Sequence, residues 1–428
     1  MKIGVKFLAG LAALLGLGTF ANPVSLENAD ILSVPKRPAL VKKLESLAMD
    51  YLADWGEKIY ILASPEDFLT LREDEIPFTV ETSRFLAAAD QTGPVQGGVN
   101  GAYHTYAELG TDLLALEQAH RSIARVFEIG ESLEKRKIYA LKISDNVDLD
   151  EDEAEVLFLG CHHAREWISV EVPFLLGKYL VENYAVDPEV KRLVDQSEIW
   201  IVPLVNPDGL EYTIHVYRYW RKNRRDNGQG SYGVDINRNY GYKWGYDELG
   251  SSSDPDAADY RGTSAFSEPE TRAIRDLFLR KNFEALISYH SFSQVILYPW
   301  GYTKLPTDRD ADLRNIAAEM SSRIYAVNGR FYAFGQAGLE LYLTNGDLTD
   351  WTFSLSSIPS YTIELPPIDE IGGGFFNRLE DILPIFQENL PAALYLIDRA
   401  IRDDATSIHS PLDLGRFLQP GRIIRRIQ

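Results

Sequence analysis

Histidine is scarce in this chain, 7 in 428 residues, yet two are adjacent in Gly160-Cys161-His162-His163-Ala164-Arg165-Glu166-Trp167. The run follows Val156-Leu157-Phe158-Leu159, an apolar stretch that reads as a buried strand. A turn leaving such a strand can aim His163 and Glu166, three residues apart, at one point. Zinc binds nitrogen and oxygen donors that converge at about 2 Å. A third donor has to come from elsewhere, and His290, which ends the apolar run Ala285-Leu286-Ile287-Ser288-Tyr289, is the best candidate. Two histidines and one carboxylate leave a coordination position for water, the pattern of a catalytic site. Cys161 is the single cysteine, so neither an internal disulfide nor a cysteine-built zinc site can form. A bare His-x-x-Glu is more often an ordinary hydrogen-bonded pair, and a lone strand-end histidine more often a satisfied core residue. The case therefore rests on what surrounds them.

The elements that must position these groups alternate along the chain. Strand-like stretches run over Lys137–Ser144, Ala154–Leu159, Ser197–Leu204, Ala285–Tyr289 and Ser360–Leu365. Helix-like stretches run over Val172–Tyr184 and Leu383–Arg402. This alternation predicts an α/β fold, a single large domain with a mixed, mostly buried sheet flanked by helices. Sites in such sheets lie at strand ends. A small α+β unit precedes it. Leu40, Leu44, Leu47 and Tyr51 have helical spacing over Leu40–Leu52, Lys58–Leu62 and Ile76–Val80 read as strands, and Ser64-Pro65 reads as a helix start. The Gly-rich stretch Gln91–Gly101 separates the two as a linker. At the N-terminus, Lys2 and Lys6 precede the apolar Phe7–Phe20, and cleavage after Ala21 is expected of a signal peptide. That run is too short to span a bilayer, so a secreted chain without a membrane anchor is expected. The divisions are thus 1–21, a leader; 22–100, a pro-segment and linker; 101–402, a catalytic domain; and 403–428, an extension of open role. The net charge of -20 argues against nucleic acid as a partner.

Six further blocks occur in one order. They are Asn206-Pro207-Asp208-Gly209, Trp220-Arg221-Lys222-Asn223-Arg224, Gly233-Val234-Asp235-Ile236-Asn237-Arg238-Asn239, His290-Ser291-Phe292-Ser293-Gln294, Asp350-Trp351 nine residues after Tyr342, and Thr362-Ile363-Glu364-Leu365. With His163-Ala164-Arg165-Glu166-Trp167 they resemble the zinc metallocarboxypeptidases of the carboxypeptidase A/B family. The likeness covers about 300 residues. It implies that His163, Glu166 and His290 hold one Zn2+, with His162 a neighbour. It implies that Arg221 faces the developing oxyanion and that Asn237 and Arg238, helped by Tyr342, grip the substrate's free carboxylate. Glu364 would be the general base and acid, and Arg165 would orient within the site. The chemistry is consistent: a planar guanidinium matches a carboxylate bidentately, and a buried strand-end carboxyl has a raised pKa suited to proton transfer. Each residue also has a plainer reading, Arg221 as one of a solvated basic run, Arg238 as a structural ion pair, Glu364 as a salt-bridged glutamate and Asp235 as a turn residue rather than a partner for a zinc histidine.

The resemblance assigns the side-chain pocket to Ala337, Leu341, Asp347 and Thr349. Thr349 falls where relatives that cut basic residues carry aspartate and those that cut apolar ones carry isoleucine. The combination with Asp347 is similar to the bacterial carboxypeptidase T group. It implies broad specificity, apolar and aromatic C-terminal residues first with some tolerance of Lys and Arg. After Glu364 the chain departs from the animal enzymes with Pro366-Pro367-Ile368-Asp369 and Gly372-Gly373-Gly374. The acidic stretch Asp247–Asp259 could bind calcium, although it lacks EF-hand spacing and reads first as a solvated loop. The expected enzyme is a monomeric zymogen acting on peptides or proteins with a free C-terminus. A cell-wall peptide hydrolase on the same fold and an inactive peptide-binding protein are the alternatives.

Overall fold

The computed structural model describes residues 103–368 and 373–404, and residues 30–80 apart from 38–39, 41–42, 45–46, 48–49, 56–57, 64 and 75. The expected leader, the Gly-rich linker, the Ser64 cap and the tail beyond 404 lie outside the described residues.

In the N-terminal part, β1 (Asp30–Pro35), β2 (Asp50–Trp55), β3 (Lys58–Ala63) and β4 (Thr79–Val80) form one antiparallel sheet in the order β2-β3-β1-β4. Alternate residues of β3, Ile59, Ile61 and Ala63, are buried with Leu32, Val34, Leu71 and Ile76 in a core of their own. A helix over Pro65–Glu73 starts on the proline, as expected. The helical reading of Leu40–Leu52 fails at its end, because Asp50–Leu52 belong to β2 and pair with β3. Pairing along a whole strand outweighed a spacing pattern carried by one tyrosine. Ile76–Val80 shrinks to the two residues of β4, beyond Pro77, which lacks a donor for the ladder.

The second sheet is the body of the molecule. Its strands are β5 (Ala124–Glu131), β6 (Lys137–Ile143), β7 (Ala154–Gly160), β8 (Ser197–Val202), β11 (Phe283–Ser291), β12 (Val295–Tyr298), β13 (Ala333–Gln336) and β14 (Ser360–Leu365). The hairpin of β9 (Asp226–Gly228) and β10 (Ser231–Tyr232) stands apart. The order is β13-β12-β14-β11-β7-β8-β6-β5. The central four, β14, β11, β7 and β8, run parallel, and β12 and β6 join them antiparallel.

Both faces are covered, and the strands show it residue by residue. Val156 and Phe158 of β7 and Ile199 and Ile201 of β8 pack into one core with the helices Ile168–Asn183 and Ile382–Asp404. Leu157, Leu159, Trp200 and Val202 pack into the opposite core with the helix Pro269–Phe278. This two-residue alternation explains why the strands read as unbroken apolar runs. Among the described residues no helix is long and apolar enough to cross a membrane.

Candidate active site

The parallel strands β7, β11 and β14 end on the same side, and the chemistry-bearing residues sit at those ends. His163 and Glu166 lie in the turn after β7, His290 near the end of β11 and Glu364 in β14. The turn is stitched to the helix that follows it. That helix begins at Ile168 and contains Pro173, four residues earlier than its expected start at Val172. Proline has no N–H to give the carbonyl of Ser169. Gly160 comes up against that carbonyl, and a Cβ there would lie 1.9 Å from it. The Ser169 hydroxyl accepts from the Cys161 N–H (3.0 Å) and donates to the Glu166 carbonyl (2.5 Å).

His163 Nδ1 is 2.8 Å from Glu166 Oε1, His290 Nδ1 is 3.0 Å from Glu166 Oε2, and the two Nδ1 atoms are 3.1 Å apart. Two imidazole lone pairs turned on each other beside a carboxylate repel unless a proton or cation lies between them. Donors 2.0–2.1 Å from a tetrahedral zinc would be separated by about 3.3 Å, so this trio needs only a slight opening to take the ion. All three are buried. The other ring nitrogens face outer partners, His163 Nε2 at 3.3 Å from Asp235 Oδ1 and His290 Nε2 at 3.1 Å from Ser288 Oγ. Such partners orient metal-binding histidines. Burial would push the Glu166 carboxyl up, but His163 and His290 outweigh it and hold it well below the usual carboxylate range. The residues present fit a zinc ion.

Glu364 stands beside His290 in the parallel register of β11 and β14. Burial, reinforced by Glu166, pushes its carboxyl up to about 8, against the pull of His290, Arg221 and Arg238. Arg221 donates through Nε (3.0 Å) and Nη2 (2.8 Å) to Asp235 Oδ2. Asp235 therefore joins Arg221 to His163, and Arg221, with His163 and Arg238 nearby, keeps it well below its normal range despite burial. Asp235 also caps the short helix Ile236–Arg238 by accepting from the Asn237 N–H (2.9 Å). In that helix Arg238 is 3% exposed, its Nη1 donates to the Asn237 carbonyl, and its Nε has no hydrogen-bond partner among the described residues. Its guanidinium lies 5.8 Å from the Tyr342 ring. Arg165 stacks on Phe375, 4.2 Å from the ring centroid, so the loop after the departure at Pro366 covers this edge of the site.

The expected pocket residues gather on two sides of the segment Trp300–Tyr302. Ala337 and Leu341 bound a helical turn whose Gly338 N–H donates to the Trp300 carbonyl. On the other side, the Asp347 carboxylate accepts from Thr349 Oγ1 (2.9 Å), Thr344 Oγ1 (2.6 Å) and the Asp350 N–H (2.8 Å), capping the helix Leu348–Ser356. A Cβ on Gly301 would lie 2.1 Å from Thr344 Oγ1 and 2.9 Å from Asp347 Oδ2. Asp350, named in the sequence only as part of a resembling block and given no role, has a buried carboxyl that accepts from the Gly301 and Tyr302 N–H groups and so holds this segment. Ser288 was also missed, since a serine in an apolar strand carries no signal. The acidic loop Asp247–Asp259 gathers no metal-like trio among the described residues. Asp247 is engaged by backbone N–H groups and Asn345, and Glu248 by Arg261 and Ser253.

The profile of a family described as zinc carboxypeptidase matches residues 111–392. The zinc carboxypeptidase of Saccharothrix mutabilis subsp. capreolus is 33% identical over 365 residues, 80% of this chain and 82% of that protein. Carboxypeptidase B of Astacus astacus is 32% identical over 292 residues, 67% of this chain and 93% of that one. The crystal structure of carboxypeptidase A from Helicoverpa armigera superposes with a TM-score of 0.74 at 26% identity, covering 89% of this chain and 99% of that one. Most of the chain, and the whole of its larger sheet between β6 and β14, falls within these matches; the chain belongs to the zinc carboxypeptidase family and is a metallocarboxypeptidase.

Proposed function

We propose that this chain is a secreted exopeptidase, made as a zymogen, that removes the C-terminal residue of peptides and proteins with His163, Glu166 and His290 as its zinc ligands. One observation carries the reading. Among the described residues the buried Arg238 guanidinium forms no ion pair; Asp235, Asp259 and Glu364 feel its charge only from beyond contact distance. A buried charge whose counter-ions stand off costs free energy, and a substrate's free carboxylate is the partner that can meet it directly. An internal peptide bond has none to offer, which restricts hydrolysis to the chain end.

The residues divide the work. Zinc held by the trio supplies Lewis acidity and lowers the pKa of a water from about 15.7 towards 7. Glu364 takes the proton of the attacking water and passes it to the departing amine, a task suited to a carboxyl whose pKa is raised by burial. Arg221, held along one edge by Asp235, lies ready to stabilise the oxyanion. Asn237, Arg238 and Tyr342 hold the terminal carboxylate. With Asp347 engaged by Thr349, Thr344 and the Asp350 N–H, no free carboxylate dominates the pocket it shares with Ala337 and Leu341, which supports apolar and aromatic preference with some tolerance of Lys and Arg.

The four-stranded N-terminal sheet with its separate core supports a folded pro-segment ahead of a catalytic domain over 101–402. The charged start and short apolar run of 1–21 support export. The test uses the chain cleaved in its linker and matched peptides, free or amidated at the C-terminus, with and without a chelator. Single-residue release from the free set alone, lost with chelator and restored by zinc, is expected. Equal hydrolysis of amidated peptides would overturn the exopeptidase reading. An active secreted enzyme beginning at Asn22 would overturn the zymogen.

A further inference from the structure

Behind the metal ligands a line of polar groups runs into the interior. Ser288 precedes His290 by two residues on β11, so both side chains leave the same face of the strand. Ser288 Oγ is 3.1 Å from His290 Nε2 and 3.4 Å from His162 Nδ1. His162 Nε2 is in turn 2.8 Å from the Tyr240 hydroxyl. The rings of His162 and His290 are stacked, 5.5 Å between centroids and 16° between planes. All four residues are buried, so water does not compete for these groups.

The polarity of the line follows from one end. A ring that turns Nδ1 to a metal carries its proton on Nε2. His290 Nε2–H then donates to Ser288 Oγ. The serine hydroxyl has one proton and can rotate, so it donates to His162 Nδ1. That leaves the His162 proton on Nε2, where it donates to the Tyr240 oxygen. Every donor points away from the metal, and each group is satisfied by the one before it.

We propose that Ser288, His162 and Tyr240 are positioning residues. Together they form a one-way hydrogen-bond chain that fixes the tautomer and ring angle of His290 and so tightens the chain's hold on its metal. The inference rests on His163, Glu166 and His290 being the ligands. It also gives His162, otherwise a mere neighbour, a task.

The experiment measures the zinc dissociation constant of the full chain by competition with a chromophoric chelator. It compares wild type, Ser288→Ala, Ser288→Thr, His162→Phe and the Ser288→Ala/His162→Phe double variant, and records the melting midpoint of each with and without zinc. Removing an outer partner of this kind weakens metal binding about 10–100-fold, and that loss is expected for Ser288→Ala. Its zinc-dependent rise in midpoint should shrink in step, while the metal-free midpoint moves little. Ser288→Thr keeps the hydroxyl and should retain the affinity. The double variant should bind no more weakly than Ser288→Ala, because the link to His290 is already cut. Wild-type affinity in Ser288→Ala, or a His162→Phe loss that adds in full to that of Ser288→Ala, would overturn the chain. A wild type that binds no zinc would instead sink the ligand set beneath it.

Discussion

The two ends of the site are built differently. At the metal end His163, Glu166 and His290 are 4%, 2% and 1% exposed, on or just after strands whose ladders fix their spacing. At the recognition end Arg238 and Thr349 are buried, but the rim residues Leu341 and Tyr342 are 37% and 46% exposed and lie on a connecting segment. Strand-borne groups hold a geometry that tolerates little error, whereas loop-borne groups can vary without disturbing the core. The metal end is therefore set by the sheet, and the rim of the recognition end is the part free to adjust.

The largest effect that could break this division is at Glu364. Glu364→Gln keeps the shape and removes the proton transfer, so kcat should fall about 10³-fold with zinc content and KM nearly unchanged. Retention of a tenth of the activity would mean that another group is the base. Arg238→Met should lower kcat/KM on free peptides about 10²-fold, chiefly through KM. An unchanged kcat/KM on free peptides would move the clamp elsewhere. Thr349→Asp should raise the Lys-to-Leu ratio about tenfold. The effect is held down because the new carboxylate joins Asp347 and lies beside Asp350, and one of the group will keep a proton. No change in the ratio would remove Thr349 from the pocket.

The smallest effect concerns the footing of the metal end. His104 lies 2.7 Å from Glu171 on the helix behind the turn and 3.1 Å from Asp112. Burial alone would lower its pKa, but hydrogen bonding and charge from Glu171, aided by Asp112, raise it from 6.5 to about 9. A raised histidine contributes stability that is fully present below 6.5 and is lost as pH climbs through about 9. The contribution is at most about 3 kcal/mol. In chelator-treated protein, His104→Gln should melt below wild type at pH 6, and the gap should close by pH 10. A gap that does not change with pH would assign the loss to packing against Phe174, whose ring centroid lies 4.6 Å from that of His104.

How much of this was legible in the sequence depended on whether a residue's neighbours in space were also its neighbours in the chain. His163 and Glu166 stood out because one turn carries both, and Glu364 through the resemblance carried by Thr362-Ile363-Glu364-Leu365. The sheet's central strands were legible for the same reason, since burial on both faces makes a continuous apolar word. The helices Tyr106–Ala119 and Asp310–Asn328 were not read, although Leu109, Leu113 and Leu116, and Leu313, Ile316, Met320 and Ile324, keep helical spacing amid many charged residues. Nor were β12 and β13, four residues each. The bond of Asp235 to Arg221 and the Ser288–His162–Tyr240 line join segments brought together only by folding. Asp347, expected to lend charge to the pocket, proved also to be a helix cap with its oxygens already engaged, which spacing alone could not reveal.

The register that sets His290 beside Glu364 has a bearing on how the enzyme would fail. Neighbouring strands lie about 4.8 Å apart, and a slip of one residue would turn a side chain to the opposite face. The ladder therefore has no partly shifted state in which one group stays in place while the other drifts. Heat should remove activity and the protection of the β11 and β14 amides against hydrogen exchange as one cooperative unit, with no softened but working form between them.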